Sequence, residues 1–173
     1  MIDEIHKQND TIIVGRLKLK PVEDSDIKQL EIWLNTEHVL KWYHDASEWL
    51  NEIKERNGQF SFLNHFIVLN KSEPIGFCQY YDCFYAKEDW YCVDNTNEIF
   101  SIDYFIGEKE YLRKGYGKEI VRLLVNEIWK LSNKIDIVVQ PEIENIASCK
   151  ALLSNGFTYD ENKKYFILRR KII

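Results

Sequence analysis

A short basic stretch with two glycines, EYLRKGYGKEIVRLL at residues 110–124, is the first candidate for chemistry. Both glycines stand at the start of an apolar-periodic run, although glycine destabilises the first turn of a helix because it loses more backbone entropy than alanine. Free backbone N–H groups at a helix N-terminus, with cations nearby, bind anions. The stretch therefore predicts a phosphate-binding loop made of Arg113, Lys114, Gly115, Tyr116, Gly117 and Lys118. The alternative is a helix entry that needs glycine for a sharp turn and whose cations are simply solvated.

A carboxylate inside an apolar run is the second candidate. Asp103 interrupts the segment FSIDYFI at residues 100–106, which otherwise has the character of a buried strand. Burying a carboxylate is costly unless the group has a partner or a purpose. Two explanations stay open: Asp103 belongs to a functional site, or it is a strand residue bonded to neighbouring backbone.

The elements that must position these residues alternate between strand and helix patterns. Short apolar or alternating runs predict strands over 11–21, 60–70, 73–84, 98–106, 134–141, 157–160 and 164–170. Helical periodicity predicts helices over 23–35 (capped by Asp24 or Ser25), 36–45, 46–58 (closed by Gly58), 115–131 and 145–156. The strand–helix–strand order in the C-terminal half suggests a parallel crossover, so we expect an α/β fold with a mixed sheet.

Composition limits the classes of partner. The 173 residues suit one domain over 1–173, and the net charge of −5 argues against nucleic acid as a partner. No apolar run approaches the ~18 residues that cross a membrane, and the N-terminal MIDEIHKQND has no signal-peptide core, so we expect a cytoplasmic protein and no membrane partner. The four cysteines and four histidines lack metal-ligand spacing, which predicts no metal. The sequence is compatible with a monomer or a homodimer.

Taken together, the order of elements and the glycines after a strand resemble the GCN5-related N-acetyltransferase (GNAT) superfamily. The family motif is Gln/Arg-x-x-Gly-x-Gly/Ala, and here Leu112 stands at its leading position. Four segments look like those of aminoglycoside 6′-N-acetyltransferases and span about residues 30 to 157: WLNTEHVLKWY, PIGFCQYY, EIFSIDYFIGE and NIASCKALLSNGF. The resemblance implies a twisted, mostly antiparallel mixed sheet of about seven strands flanked by helices.

The resemblance also implies acetyl-CoA as co-substrate and a role for each candidate. The glycine stretch would hold the pyrophosphate through its backbone N–H groups. The strand backbone at Phe105, Ile106 and Gly107 would pair with the pantetheine arm, as an added strand does, and one N–H would face the thioester oxygen. Asn145 would bond the pantetheine, although a helix N-cap explains this residue equally well. Asp103 would bind the amine and accept its proton.

For the acceptor, the resemblance points to aromatic and acidic residues that suit a polycationic sugar. The candidate acceptor residues are Trp42, Tyr43, Gln79, Tyr81, Glu88, Asp89, Trp90, Tyr91, Asp103 and Gln140. Two further positions depart from the relatives. Gln140 stands where they have an aspartate before the fifth-strand proline, with Glu142 or Glu144 as possible substitutes, and Leu152 replaces the tyrosine that protonates the departing thiolate.

The sequence therefore predicts an acetyl-CoA-dependent N-acetyltransferase that modifies a primary amine, expected to be the 6′-amine of an aminoglycoside, by direct attack in a ternary complex. One alternative is another acceptor for the same fold: a siderophore hydroxylamine, a polyamine or a protein N-terminus. A second is a CoA-binding protein without turnover, suggested by the departures at Leu112 and Leu152.

Overall fold

The computed structural model describes residues 17–132 and 134–170. Within these residues seven strands form one sheet in the order β1-β2-β3-β4-β5-β7-β6. The strands are β1 (Leu17–Pro21), β2 (Leu63–Asn70), β3 (Glu73–Asp82), β4 (Ile99–Ile106), β5 (Asp136–Val139), β6 (Thr158–Asp160) and β7 (Tyr165–Leu168). The mixed seven-stranded sheet predicted from the sequence is confirmed. The first predicted strand is seen from Leu17, and its residues 11–16 lie outside the described part of the chain.

The strand pairings open the sheet at one place. β4 pairs with β5 in parallel, whereas the other five pairings among the described strands are antiparallel. The parallel pairing covers only Ile99–Ser101 against Asp136–Val138, after which β4 continues without β5 as a neighbour. The C-terminal half of β4 therefore has a free hydrogen-bonding edge, and the predicted site residue Asp103 lies on this half.

Helices cover both faces of the sheet. They are α1 (Ile27–Leu34), α2 (Glu37–Tyr43), α3 (Ala46–Lys54), α4 (Cys83–Ala86), α5 (Tyr116–Leu131) and α6 (Ile146–Ser154). The apolar stripe of α5 is buried on one face through Ile120, Leu124 and Ile128, which recur at helical spacing. The other face is covered by a second cluster in which Trp33 packs with Phe77 and Phe105. Each fully buried side chain of this size contributes about 2 kcal/mol to folding.

Several element ends differ from the predictions for local reasons. The first predicted helix begins as a 3-10 turn over Asp24–Asp26 whose capping box belongs to Glu23. The helix predicted over 46–58 ends at Lys54, before Gly58, and its N-cap Asp45 accepts hydrogen bonds from Ser47 and Glu48. The strand predicted over 73–84 stops at Asp82, because that side chain accepts from the Phe84 N–H and starts α4. None of the described helices is long and apolar enough to cross a bilayer.

Candidate active site

A cavity of about 1010 Å³ lies where β4 and β5 separate. β4 contributes residues to its floor. Helices α2 and α3 form one wall, and the start of α5 and the start of α6 form the opposite wall. Strand geometry divides the floor, because successive side chains of β4 point to opposite faces of the sheet. Asp103 therefore faces the side of α3, and Tyr104 faces the side of α5 and α6.

The glycine loop, which we define as residues 113–118, borders this cavity. Its backbone turns sharply: Gly115 has φ +85° and Arg113 has φ +60°, in the left-handed region that glycine adopts without strain. Within the described part of the chain, the backbone N–H groups of the loop donate no hydrogen bond to another residue. A Cβ added at Gly115 would meet nothing within 4 Å, so the loop is open at this point. The arrangement fits an anion held by main-chain N–H groups at the N-terminus of α5.

The free edge of β4 offers a second set of backbone groups. The Gly107 N–H donates to Ile75 on β3, so by strand alternation residues 103 and 105 also direct their backbone groups toward β3. The backbone groups directed away from β3 belong instead to Tyr104 and Ile106. Side chains of α2 occupy them: the Tyr43 hydroxyl donates to the Tyr104 carbonyl and accepts from its N–H, and His38 Nε2 lies 2.8 Å from the Ile106 carbonyl.

Asp103 is half-buried, and its carboxylate has one side-chain partner. Gln79 Nε2 on the neighbouring strand donates to Asp103 Oδ2 at 2.8 Å. Burial raises the pKa of Asp103 to about 6, the Gln79 hydrogen bond opposes this shift, and the negative charge of Glu88 adds to it. A carboxylate with a pKa near 6 is a base at neutral pH that still binds protons appreciably, which suits general base chemistry.

Three further carboxylates face the same part of the cavity. We call Asp103, Glu48, Glu52 and Glu88 the acidic cluster; all four line the cavity. Burial, together with the charges of the other three members, raises the pKa of Glu52 to about 7. Within the described residues none of the four forms a salt bridge. Unpaired carboxylates in a shared cavity repel one another, and a ligand with several positive charges relieves this repulsion.

Aromatic side chains line the cavity beside the acidic cluster. Trp42, Tyr43 and Trp49 line the cavity from the helix side, and Tyr81 and Trp90 line it from β3 and the loop after α4. Two of them fix Glu88, because the Tyr81 hydroxyl donates to its carboxylate at 3.2 Å and the Trp90 indole N–H donates to it as well. Apolar rings beside unpaired carboxylates favour a cation that also has carbon surface to bury.

A model of the acetyltransferase (GNAT) domain family matches residues 22–164. The chain belongs to this family. The aminoglycoside N(6′)-acetyltransferases type 1 of Klebsiella pneumoniae and Serratia marcescens are each 25% identical to it over 146 residues, which cover 80% of this chain and 72% of the relative.

Solved structures share the fold of this GNAT acetyltransferase. Aminoglycoside acetyltransferase AAC(6′)-Ib in complex with coenzyme A superposes with a TM-score of 0.75 at 22% identity, covering 89% of this chain and 95% of the other. The complex of AAC(6′)-Ib with ribostamycin and coenzyme A also gives 0.75, with 90% and 94% covered at 22% identity. An aminoglycoside N(6′)-acetyltransferase from Legionella pneumophila gives 0.67 at 16% identity, with 88% and 90% covered.

The acetyltransferase cavity brings together most of the residues selected from the sequence. Those that line it are Trp42, Tyr43, Gln79, Tyr81, Glu88, Trp90, Asp103, Phe105, Ile106, Arg113, Gly115, Tyr116, Gly117, Lys118, Gln140 and Asn145. Phe105 does so with its carbonyl directed at Gly76 on β3, so its backbone does not reach the free edge. Gln140 donates to the Lys164 carbonyl at 3.0 Å. Asn145 caps α6, accepting from the Ser148 N–H at 3.2 Å.

Three predicted residues of the acetyltransferase are placed elsewhere. Lys114 and Asp89 are exposed and are not part of the cavity wall. Tyr91 is buried in a separate apolar cluster, and its hydroxyl donates to the Cys83 carbonyl at 3.0 Å and accepts from the Glu88 N–H at 3.2 Å. Tyr91 therefore positions the backbone of Glu88 rather than facing the cavity.

Sequence reasoning missed other cavity residues of the acetyltransferase. Glu48 and Glu52 are four residues apart on α3, where two like charges on one helix face destabilise the helix. That spacing was a signal in the sequence. The Tyr104 hydroxyl lies 2.9 Å from Ser148 Oγ. The sequence gave no signal for this pair, because the contact joins β4 to α6 across the fold. In the described residues no group of His, Cys, Asp and Glu side chains is placed to hold a metal ion.

Proposed function

We propose that this acetyltransferase moves the acetyl group of acetyl-CoA to the 6′-amine of an aminoglycoside. The single observation that carries the proposal is the division of the cavity. Unpaired carboxylates and aromatic rings lie on one side of β4, and a loop of free N–H groups with nearby cations lies on the other. The first arrangement suits a polycationic acceptor, and the second suits a pyrophosphate. The relatives named above support this acceptor, since they are aminoglycoside acetyltransferases.

The residues of the loop side fit acetyl-CoA. The N–H groups of the glycine loop would hold the pyrophosphate, with the exposed cations Arg113 and Lys118 beside it. The pantetheine amides would bind the free edge of β4 at Tyr104 and Ile106, where they would replace the hydrogen bonds of Tyr43 and His38. Because both hydrogen bonds must be replaced, binding of the pantetheine arm requires the side chains of Tyr43 and His38 to move.

The residues of the acidic cluster would bind the acceptor and remove its proton. An ammonium placed against Asp103 lowers the pKa of that carboxyl from its raised value, so the carboxylate stays charged while it holds the cation. The ammonium first loses one proton to solvent water. The free amine then attacks the thioester carbon with its lone pair, and Asp103 accepts the second proton, which the nitrogen loses as the C–N bond forms. Glu48, Glu52 and Glu88 hold the further ammonium groups of the substrate.

A thiol-release assay across acceptors tests the proposal. We expect rapid CoA release with kanamycin and none above background with a matched aminoglycoside that has a hydroxyl group at the 6′ position. Spermidine and short peptides with a free N-terminus test the other acceptors. Turnover of a polyamine or peptide but of no aminoglycoside would replace the proposed acceptor, and release with no amine at all would contradict acetyl transfer.

A further inference from the structure

The proposed function leaves one chemical requirement unmet by the residues named so far. When the tetrahedral intermediate collapses, the C–S bond breaks and the sulfur departs with the electron pair as a thiolate. A proton donor at this sulfur lowers the barrier to its departure. Leu152, the residue of α6 considered for this position, is an apolar side chain without exposed surface. A side-chain donor must therefore be a residue other than Leu152.

We propose that the Tyr104 hydroxyl, held by Ser148, donates the proton to the departing CoA thiolate. Tyr104 follows Asp103 on β4 and points to the opposite face, toward the wall that carries the glycine loop and α6. Its hydroxyl lies 2.9 Å from Ser148 Oγ, and both residues line the cavity. Acid and base would thus be adjacent residues of one strand that approach the reacting thioester from its two sides.

The surrounding contacts fix the position of this hydroxyl. Ser148 lies in the first turn of α6, where its N–H is held by the Asn145 side chain. An added Cβ at Gly117 would lie 3.8 Å from the Tyr104 ring, so the glycine loop also passes beside the ring. The two hydroxyls of Tyr104 and Ser148 can each be the donor of their hydrogen bond. When Ser148 donates, the Tyr104 proton is free to point into the cavity.

Other tyrosine hydroxyls of the cavity have hydrogen-bond partners on elements other than α6. Tyr43 donates to the Tyr104 carbonyl, and Tyr81 donates to Glu88. The Tyr116 hydroxyl accepts a hydrogen bond from Asn70 at the end of β2. Tyr104 is bonded instead to Ser148 on α6, whose hydroxyl can reverse the hydrogen bond and return a proton.

Burial favours the protonated form of this phenol. It raises the pKa of Tyr104 to about 12, so the hydroxyl is protonated at neutral pH and acts as a donor. The same desolvation makes a thiolate formed beside it a stronger base than it is in water. The proton moves from the phenol oxygen to sulfur, giving the CoA thiol, and the phenolate regains a proton from solvent through Ser148. The nitrogen loses two protons, one before the attack and one to Asp103, and the thiolate takes up one. The reaction therefore releases one proton overall.

The test compares two identical substitutions on one face of the sheet. Tyr104→Phe removes the hydroxyl and keeps the ring, and Tyr80→Phe does the same on β3, where the ring stacks on Phe66 outside the cavity. We expect Tyr104→Phe to lower kcat about 100-fold. We expect KM for acetyl-CoA and the calorimetric Kd of CoA to stay within about twofold, because the variant retains the backbone groups proposed to bind it. Tyr80→Phe should leave kcat unchanged.

Rescue by an external acid separates proton donation from a structural role. We expect kcat of Tyr104→Phe to rise with the concentration of imidazolium buffer at constant pH, and kcat of the unmodified enzyme to be insensitive to it. Ser148→Ala should lower kcat several-fold and leave the Kd of CoA unchanged. If Tyr104→Phe does not fold, this variant tests the proton donation instead.

Three results would overturn the assignment. These are a kcat of Tyr104→Phe within twofold of the unmodified enzyme, a loss that buffer acid does not restore, or an unfolded Tyr104→Phe together with an unaffected Ser148→Ala. Failure of the proposed acceptor is distinguishable, because the same variants are then measured with whichever amine releases thiol. An enzyme that acetylates no amine overturns both proposals.

Discussion

The two sides of the cavity solve opposite electrostatic problems with different parts of the chain. The glycine loop would bind a diphosphate through main-chain N–H groups. Gly115 and Gly117 have no side chain that could block access to these groups. The acidic cluster would bind ammonium groups through four charged side chains, two of them with pKa values raised to about 6 and about 7. The loop therefore depends on backbone geometry, whereas the cluster depends on charge and pH.

The difference also separates the costs to stability. Main-chain N–H groups at a helix N-terminus are free in every helix, so leaving them open to a ligand adds little cost. Desolvated carboxylates of like charge destabilise the ligand-free protein as soon as they ionise. We therefore expect substitutions in the acidic cluster to change stability and acceptor binding in opposite directions, and substitutions in the loop to act on CoA binding.

The largest effect should come from Asp103→Asn, which removes the base from the acidic side. We expect kcat/KM for the aminoglycoside to fall about 1000-fold, because amide nitrogen accepts no proton, with the Kd of CoA within about twofold. Asp136→Asn on β5 is the matched control, since this aspartate lies outside the cavity wall. Steady-state kinetics and calorimetry provide both numbers, and equal losses in the two variants would contradict the role of Asp103.

The pH profile gives a second view of the same residue. Because the pKa of Asp103 is raised to about 6, its basic form is lost as pH falls through 6. We expect kcat/KM to decrease below about pH 6. A profile of Asp103→Asn with the same acidic limb would assign that limb to another group.

A smaller effect should come from breaking the loop side. Gly115→Val places a β-branched residue at φ +85°, which strains the loop by about 1–3 kcal/mol and moves its N–H groups. We expect the Kd of CoA to rise about 30-fold, an effect of about 2 kcal/mol, with the KM for the aminoglycoside changed much less. Gly117→Ala is the matched control, because Gly117 is helical and an added Cβ meets only the Tyr104 ring, at 3.8 Å. Equal CoA affinities of the two variants would show that the loop backbone does not bind the cofactor.

The smallest effect should come from Glu52→Gln, which we expect to increase stability and to weaken acceptor binding. The folded-state pKa of about 7 exceeds the ordinary value of 4.5, so the native state binds more protons between these values and loses stability as pH rises through that window. We expect Glu52→Gln to be more stable than the unmodified protein by about 1 kcal/mol at pH 8, with the difference vanishing near pH 4.5.

In the same variant we expect the KM for kanamycin to rise roughly fivefold at pH 8, the worth of one partly solvated charge pair. Glu55→Gln is the matched control, as Glu55 is exposed at the end of α3 and outside the cavity wall. Chemical denaturation at several pH values and steady-state kinetics measure the two effects. A variant that is destabilised at pH 8, or one with an unchanged KM, would remove Glu52 from the account.

The comparison also explains what could be predicted from the sequence. The glycine loop is contiguous, so its residues and the helix that follows could be predicted from one segment of sequence. The structure has α5 beginning at Tyr116, directly after Gly115. Asp103 was visible because a carboxylate stands out in an apolar strand. The acidic cluster was only partly predicted, since tertiary packing brings Glu52 on α3 into the same cavity as Asp103 on β4. The groups that pair with the pantetheine were assigned to Phe105, Ile106 and Gly107. The free edge of β4 belongs instead to Tyr104 and Ile106, because the direction of a backbone group follows from strand register.

Our central claim is that one cavity holds a diphosphate on the glycine loop while Asp103 meets the acceptor nitrogen. A crystal structure of the dead-end complex with CoA and kanamycin tests it most directly. We predict at least two N–H groups of residues 113–118 within about 3.2 Å of pyrophosphate oxygens, and the 6′-nitrogen at about the same distance from the Asp103 carboxylate. A pyrophosphate bound away from the loop, or a 6′-nitrogen beyond the reach of Asp103 and of any bridging water, would contradict the account.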